Sequence, residues 1–368
     1  MKIAFLLSTL STGGGERVAS DLLVNFPDNI EKNVLLLENK ISYPYKGSIL
    51  ILGKNFVLAL LNLRKFVKKE KPDYIISFGK IPNILNIFSG GRAILRVDNF
   101  YSKSCFGIKG NIYKLLVKKL FNRAFKIVVI SKESGYDLIN NFGIKSDKLK
   151  VIYNPLDTKN IKNLSKEELE EKYKDVFKKP VIINIGQIGK QKNQIHLIEA
   201  FKIVREKISD AKLVILGRGP LEKALKKRSL DIGLGNNVYF LGWQKNPFKF
   251  LANSNVFVLS SLWEGLPCSL LEAMACNVPV VSYDCSSGPR EILSPESQIS
   301  VKTSDIDYTK FGVLVRPENK EYLAKAIIKI IQDRELSRAT TKESLKRSED
   351  FEAQKIIKNW DFIYEKHN

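Results

Sequence analysis

Cysteine, histidine and methionine are scarce in this chain: four, two and two among 368 residues. Cys105, Cys268, Cys276 and Cys285 form no C-x-x-C pair and no secreted framework, so free or buried thiols are expected rather than disulfides or a zinc site. There is no uncharged apolar run of about 18 residues, which a bilayer-spanning helix would need. Met1-Lys2 leads into a short apolar strand and then glycines, unlike a secretory signal, and a cytosolic protein is expected.

Acidic side chains are also in short supply. Lys and Arg number 60 against 39 Asp and Glu, a net charge of +21. The excess is uneven: residues 1–150 hold 25 basic and 11 acidic side chains, so they carry +14 of it. A basic surface of this kind serves nucleic acid, anionic lipid or a phosphorylated substrate, unless it reflects a lysine-rich composition alone.

The length suggests two domains. Short apolar strands alternate with helical segments throughout, the pattern of parallel α/β sheets covered by helices. Strands are expected at 3–7, 33–37, 73–77, 93–97, 126–130 and 149–153, then at 181–185, 212–216, 237–240, 255–259 and 279–283. The charge-dense stretch 158–180 reads as a linker between a first domain, 1–157, and a second, 181–350. Residues 351–368 read as a final helix.

The most informative stretch joins two carboxylates, Glu264 and Glu272, across a strand-to-helix junction. Val256-Phe257-Val258-Leu259 leads in, and Pro267 is suited to open a helix. Unpaired N–H groups and the positive dipole end at that helix start form an anion seat. Carboxylates beside such a seat suit a ligand with hydroxyls at both ends and phosphates between them. Alternatively, this is a capped helix whose glutamates pair with lysines. Gly13-Gly14-Gly15, between a strand and a helix, would let a phosphate approach the backbone, or it is a flexible turn. Asp305-Ile306-Asp307 sits in a polar loop and reads as solvated acid. The segment 111–126 interleaves Ile112, Leu115, Leu116, Leu120 and Phe121 with Lys114, Lys118, Lys119 and Arg123, as in a helix lying on an anionic membrane or an ordinary domain helix with a basic face.

Glu264 to Glu272, followed by Val278-Pro279-Val280-Val281, resembles the E-x7-E signature of retaining glycosyltransferases of family 4. The resemblance extends to Ile3-Ala4-Phe5-Leu6-Leu7 with Thr12-Gly13-Gly14-Gly15-Glu16-Arg17, to Ile127-Val128-Val129-Ile130-Ser131, to Val151-Ile152-Tyr153-Asn154-Pro155, and to Ile183-Asn184-Ile185-Gly186 with Lys192-Asn193. Leu213-Val214-Ile215-Leu216-Gly217-Arg218-Gly219-Pro220 adds to it, so nearly the whole chain is covered.

The resemblance implies the α/β GT-B fold: two Rossmann-like, doubly wound domains facing a central cleft, acceptor on the first and nucleotide sugar on the second, with the C-terminal helix returning to the first. It implies transfer of a hexose or N-acetylhexosamine from a donor expected to be UDP-linked, with retention and no enzymic nucleophile. No cofactor or catalytic metal is expected. Glu272 would bind the ribose diol and Glu264 the donor hexose at the reaction centre. Lys192 would neutralise the diphosphate, with Gln187 standing where the family has arginine and Lys190 nearby. Gly14, Gly15, Gly186, Gly217, Gln244 and the backbone of Gly265, Leu266, Cys268 and Ser269 complete the expected donor site, and Trp243 reads as packing. The family's first-domain histidine is missing, so Asp98 and Asn99 would meet sugar or acceptor, and Asp98 is a candidate base or a solvated turn residue.

Expected partners are the nucleotide sugar, a glycan or lipid-diphosphate-linked acceptor, and the anionic cytoplasmic face of an inner membrane met through Lys114, Lys118 and Arg123. Nucleic acid is not expected. Surface-polysaccharide or glycoprotein assembly in bacteria would be the setting. The rival readings are a sugar-nucleotide epimerase of similar fold and a basic, non-catalytic protein that binds nucleic acid or lipid.

Overall fold

A computed structural model describes residues 1–11 and 13–364. Thr12, the start of the expected glycine loop, and residues 365–368, the end of the expected final helix, lie outside them. The chain divides into two compact units, Leu156–Glu352 and the remainder, which joins Met1–Pro155 to the chain from Ala353 onward. The two are described separately.

The first unit carries a parallel sheet of β1 (Lys2–Leu7), β2 (Glu31–Leu36), β3 (Ser48–Ile51), β4 (Tyr74–Phe78), β5 (Ala93–Val97), β6 (Lys126–Val129) and β7 (Leu149–Val151), in the order β3-β2-β1-β4-β5-β6-β7. Strands β1, β4 and β5 are apolar almost without a break because helices cover both faces, as in parallel sheets generally. The edge strand β3 was not among the expected strands. Three of its four residues are exposed, so it shows none of the burial pattern that marks a strand in sequence.

The chain from Ala353 forms a short helix, Ala353–Lys358, and a 3₁₀ turn, Asp361–Ile363, rather than one continuous helix. Between them Trp360, fully buried, packs edge-on against Phe26 and joins the core that contains Ile3, Phe5 and Val34.

The second unit has β8 (Val181–Ile185), β9 (Lys212–Leu216), β10 (Val238–Gly242), β11 (Val256–Leu259), β12 (Val280–Tyr283), β13 (Ile306–Thr309) and β14 (Gly312–Val315), in the order β10-β9-β8-β11-β12-β14-β13. All neighbours are parallel except β13, which runs antiparallel to β14. This hairpin corrects the reading of Asp305-Ile306-Asp307 as a loop: Asp307 lies on an edge strand opposite Leu314. The expected linker 158–180 is grouped with this unit and is largely helical, at Thr158–Leu164 and Glu171–Phe177. Tyr173 and Phe177 set their rings against Phe250, which is why a charge-dense stretch folds down.

Among the parallel strands of each sheet the order reverses once, between β1 and β4 and between β8 and β11. Doubly wound sheets bind ligands beyond the strand carboxyl ends at such points. The segments there are 8–11 with Gly13 and Gly79 in the first unit, 186–193 and 260–267 in the second.

Candidate functional site

In the second unit, the turns after β8 and β11 are tied together. The Leu262 N–H donates to Gln191 O at 2.8 Å, and Ser260 Oγ donates to Lys192 O at 2.8 Å. That stitching brings the Lys192 ammonium within 2.6 Å of Glu264 Oε1. Gln191 Nε2 donates to Trp263 O at 3.0 Å and lies 3.5 Å from Glu264 Oε2. Glu264 is 4 % exposed, so its charge sits in a low-dielectric pocket with a partner already in place.

Helix Cys268–Ala275 starts directly after this turn. Pro267 stands just before its first residue rather than inside it, and among the described residues no side chain caps it. The positive dipole end of the helix start therefore suits an anion. Glu272 lies within the helix, 6 % exposed. Burial, helped by the charge of Glu272, pushes the thiol of Cys276 well above its usual range.

The glycines of the neighbouring turns are steric requirements. At Gly217, φ is +141° and a Cβ would lie 1.9 Å from Gly186 O, so only glycine lets these two turns touch. The Gly217 N–H in turn donates to Gly242 O at 2.8 Å. Gln244 Nε2 donates to Leu241 O at 2.6 Å, which orders the turn after β10. Trp243 on that turn is 60 % exposed, which corrects its reading as a packing residue. Gln187 and Lys190 are both exposed on the turn after β8, and the carbonyl of Gln187 accepts from Gln194 Nε2 at 3.1 Å.

In the first unit, Asp98 is not a freely solvated turn residue. Its Oδ1 accepts from Nε of Arg96 at 2.6 Å, and Arg96 is fully buried at the end of β5. Arg96 also donates to Asn154 Oδ1, and its carbonyl accepts from Asn83 Nδ2 at 2.9 Å. The other oxygen of Asp98 faces the glycine loop: a methyl group on Gly15 would lie 3.1 Å from Oδ2. Gly14 begins the helix Gly14–Asn25 and has open space beside it. Asn99 Oδ1 accepts from the Phe100 N–H at 2.8 Å.

The expected basic helix is present, but one residue face was misread. It spans Gly107–Leu120 and is followed by a 3₁₀ turn, Phe121–Arg123. Phe121 is buried, and Leu116 and Leu120 pack on the core, so these three leave the proposed outer stripe. Ile108, Ile112 and Leu115 form the exposed apolar row instead, four and three residues apart. Lys114 and Lys118 flank it, lining a cavity of about 410 Å³ with Ser102, Asn111 and Asn141, while Arg123 stacks its guanidinium over Phe88 at 5.9 Å. Among the described residues, no helix is long and apolar enough to cross a membrane.

Sequence reading missed Arg96 and Gln191. Only their nearness in the chain to Asp98 and Lys192 hinted at a role, because each acts through a contact that chain order does not specify.

The family model for glycosyl transferases group 1 matches residues 165–347, and that for glycosyltransferase family 4 matches residues 12–160. An uncharacterized glycosyltransferase of Methanocaldococcus jannaschii is 36% identical, over 91% of this chain and 88% of its own. The N-acetylgalactosamine-N,N'-diacetylbacillosaminyl-diphospho-undecaprenol 4-alpha-N-acetylgalactosaminyltransferase of Campylobacter jejuni is 28% identical, over 97% of this chain and 98% of its own. Among solved structures, Anabaena HepE in complex with UDP and glucose aligns over 99% of both chains with a TM-score of 0.81 at 20% identity, a likeness of fold.

Proposed function

Because the chain belongs to glycosyltransferase family 4 and is thus a glycosyltransferase, we propose that it moves a hexose or N-acetylhexosamine from a UDP-linked donor to a lipid-linked saccharide with retention. The observation that carries this reading is the Lys192–Glu264 pair, 2.6 Å apart, at the switch point of the second sheet and beside the start of helix Cys268–Ala275. A cation, a helix dipole and a hydroxyl-accepting carboxylate meet there, which suits a diphosphate joined to a sugar.

In this reading the diphosphate draws Lys192 toward itself, which frees Glu264 to accept hydrogen bonds from the donor sugar. Glu272 accepts from the ribose diol. The bond from the anomeric carbon to the phosphate oxygen breaks as the acceptor oxygen bonds to the same face of that carbon, and the acceptor proton passes to the leaving phosphate. Lys192 and the helix start offset the charge that develops on UDP, a contact that contributes about 3–4 kcal/mol where such donors are preorganised. They take the part a metal plays elsewhere, so the transfer is proposed to be metal-independent. Asp98 offers Oδ2 to a sugar or acceptor hydroxyl, Oδ1 being held by Arg96.

The name of the Campylobacter relative supports a lipid-diphosphate acceptor and an N-acetylhexosamine. The exposed row Ile108, Ile112 and Leu115 beside Lys114 and Lys118 supports docking of the first unit on an anionic cytoplasmic membrane face. Surface-glycan or lipid-linked saccharide assembly is the process this combination fits.

The test is to incubate purified protein with a panel of UDP-sugars and an undecaprenyl-diphosphate-linked saccharide, with and without EDTA. UDP release and an α-linked product by NMR, unchanged by EDTA, are expected from an α-configured donor. No UDP release from any donor, an inverted product, or loss of turnover in EDTA would each remove the corresponding part of the proposal.

A further inference from the structure

The turn after β12 lies directly under the Glu264 loop and is built to hold it. Trp263 and Ser286 form a parallel bridge, and the Glu264 N–H donates to Ser286 O at 2.9 Å. One residue on, Ser287 Oγ donates to Gly265 O at 2.7 Å. Both backbone ends of the Glu264–Gly265 pair are thus gripped by two consecutive serines. We propose that Ser287 is a positioning residue that fixes Glu264 for the transfer reaction, an inference that rests on the function proposed above.

Ser287 is fully buried and has φ of +70°, in the left-handed region that disfavours side chains with a Cβ. Glycine would take this conformation without that cost, and Gly288 beside it does so at φ +94°. The bond from the Ser287 hydroxyl to Gly265 O is the contact that a glycine at this position could not make. Gly288 in turn must lack a Cβ, which would lie 2.5 Å from Pro267 Cδ and 3.0 Å from Gly265 O. The two loops are therefore in direct contact along their length.

The serine turn is itself anchored at both ends. Asp284, fully buried, donates its N–H to Val315 O at 2.8 Å and accepts at Oδ2 from the Thr303 N–H, also at 2.8 Å. Arg290, on the short helix Pro289–Leu293, reaches back across the turn with Nε 3.2 and 3.0 Å from the two Asp284 oxygens, and its Nη2 also bonds to Oδ2. Nη1 of Arg290 donates to Ser297 Oγ at 3.1 Å. A turn closed by a buried ion pair has little freedom, and Ser287 transfers that rigidity to the loop that carries Glu264. Arg290 and Asp284 make poor test positions because removing either strands a buried charge.

The informative variants are Ser287→Ala and Ser287→Gly, since both remove the hydroxyl but only glycine relieves the backbone. The proposal expects kcat to fall about tenfold or more in both, with the dissociation constant for UDP changed less than about twofold. It also expects the Gly variant to melt no lower than the Ala variant, so that activity and stability separate. Hydrogen exchange on wild type and variants gives a readout independent of turnover: amides of residues 262–266 should exchange at least about tenfold faster in both variants, with the rest of the second unit unchanged. Wild-type exchange rates in 262–266, or wild-type kcat in both variants, would overturn the positioning role. Failure of wild-type protein to release UDP from any donor would overturn the proposed function instead, while the exchange measurement still decides the positioning role.

Discussion

Lys192 and Glu264 form an ion pair although 72 residues separate them in the chain. Lys192 is a partly covered cation and Glu264 a nearly covered carboxylate, so each is the other's main solvation. In the proposed function a donor diphosphate competes for Lys192, which would make the pair both a structural tie and a binding contact.

Lys192→Ala should therefore lower stability and UDP affinity together. Loss of a hydrogen bond to a charged group costs about 1.5–3 kcal/mol. Chemical denaturation and calorimetry with UDP measure the two effects. In a double-mutant cycle with Glu264→Gln the stability losses should fall short of additive, because the first change already removes the shared contact. Additive losses would mean that the pair is not coupled.

Glu272→Ala and Glu264→Ala should differ in kind. The first is expected to weaken UDP binding by roughly tenfold or more, since it deletes an acceptor for the ribose diol, and the second to lower kcat with a smaller change in UDP affinity. Steady-state kinetics on folded variants separates them. Identical profiles would show that the two carboxylates do not have distinct roles.

Gln187→Arg should tighten UDP binding or leave it unchanged and preserve or raise turnover. Gln187 is exposed on the turn after β8, so the larger side chain fits without repacking and adds a charge facing the expected diphosphate. Weaker UDP binding by calorimetry would show that this turn does not face the phosphates.

Alkylation should distinguish two cysteines close in sequence. Cys268, partly exposed at the helix start, should react with iodoacetamide at pH 8 well before Cys276, whose thiol burial holds in the protonated form. UDP at about 100 times its dissociation constant should slow Cys268 labelling by tenfold or more. Peptide mass spectrometry reads both rates, and unprotected Cys268 would place the nucleotide elsewhere.

Wild-type protein should float with anionic liposomes at low salt and be released at high salt, while Lys114→Glu/Lys118→Glu/Arg123→Glu should remain in the soluble fraction. Each lysine near an anionic surface contributes about 1 kcal/mol, screened beyond roughly 8 Å at physiological ionic strength. Arg123 stacks on Phe88, so Lys114→Glu/Lys118→Glu alone should account for most of the effect. Equal flotation of all three proteins would assign the basic charge another purpose.

Much of this architecture follows from chain order alone. Continuous apolar runs such as 181–185 and 256–259 mark buried parallel strands because both faces of such strands are covered. The seven residues between Glu264 and Glu272 place one carboxylate on a loop and the other inside a helix. Short-range backbone preference is enough for both conclusions. The edge strands β3 and β13 escaped because exposed or half-exposed strands carry no burial pattern; β14, buried throughout, was overlooked although its burial matches that of β11.

Only the tertiary structure decided which side chains meet. The 107–120 helix has apolar residues on more than one face, and packing of Tyr113 and Val117 inward selected Ile108, Ile112 and Leu115 as the outer row. Asp98 reads as a solvated turn residue until Arg96, two positions earlier, is found buried behind it. The contacts of Lys192 with Glu264 and of Ser287 with Gly265 join turns after different strands of one sheet. Periodicity records how each residue relates to its own helix or strand, whereas these contacts depend on strand order and register, which are settled by packing over the whole sheet.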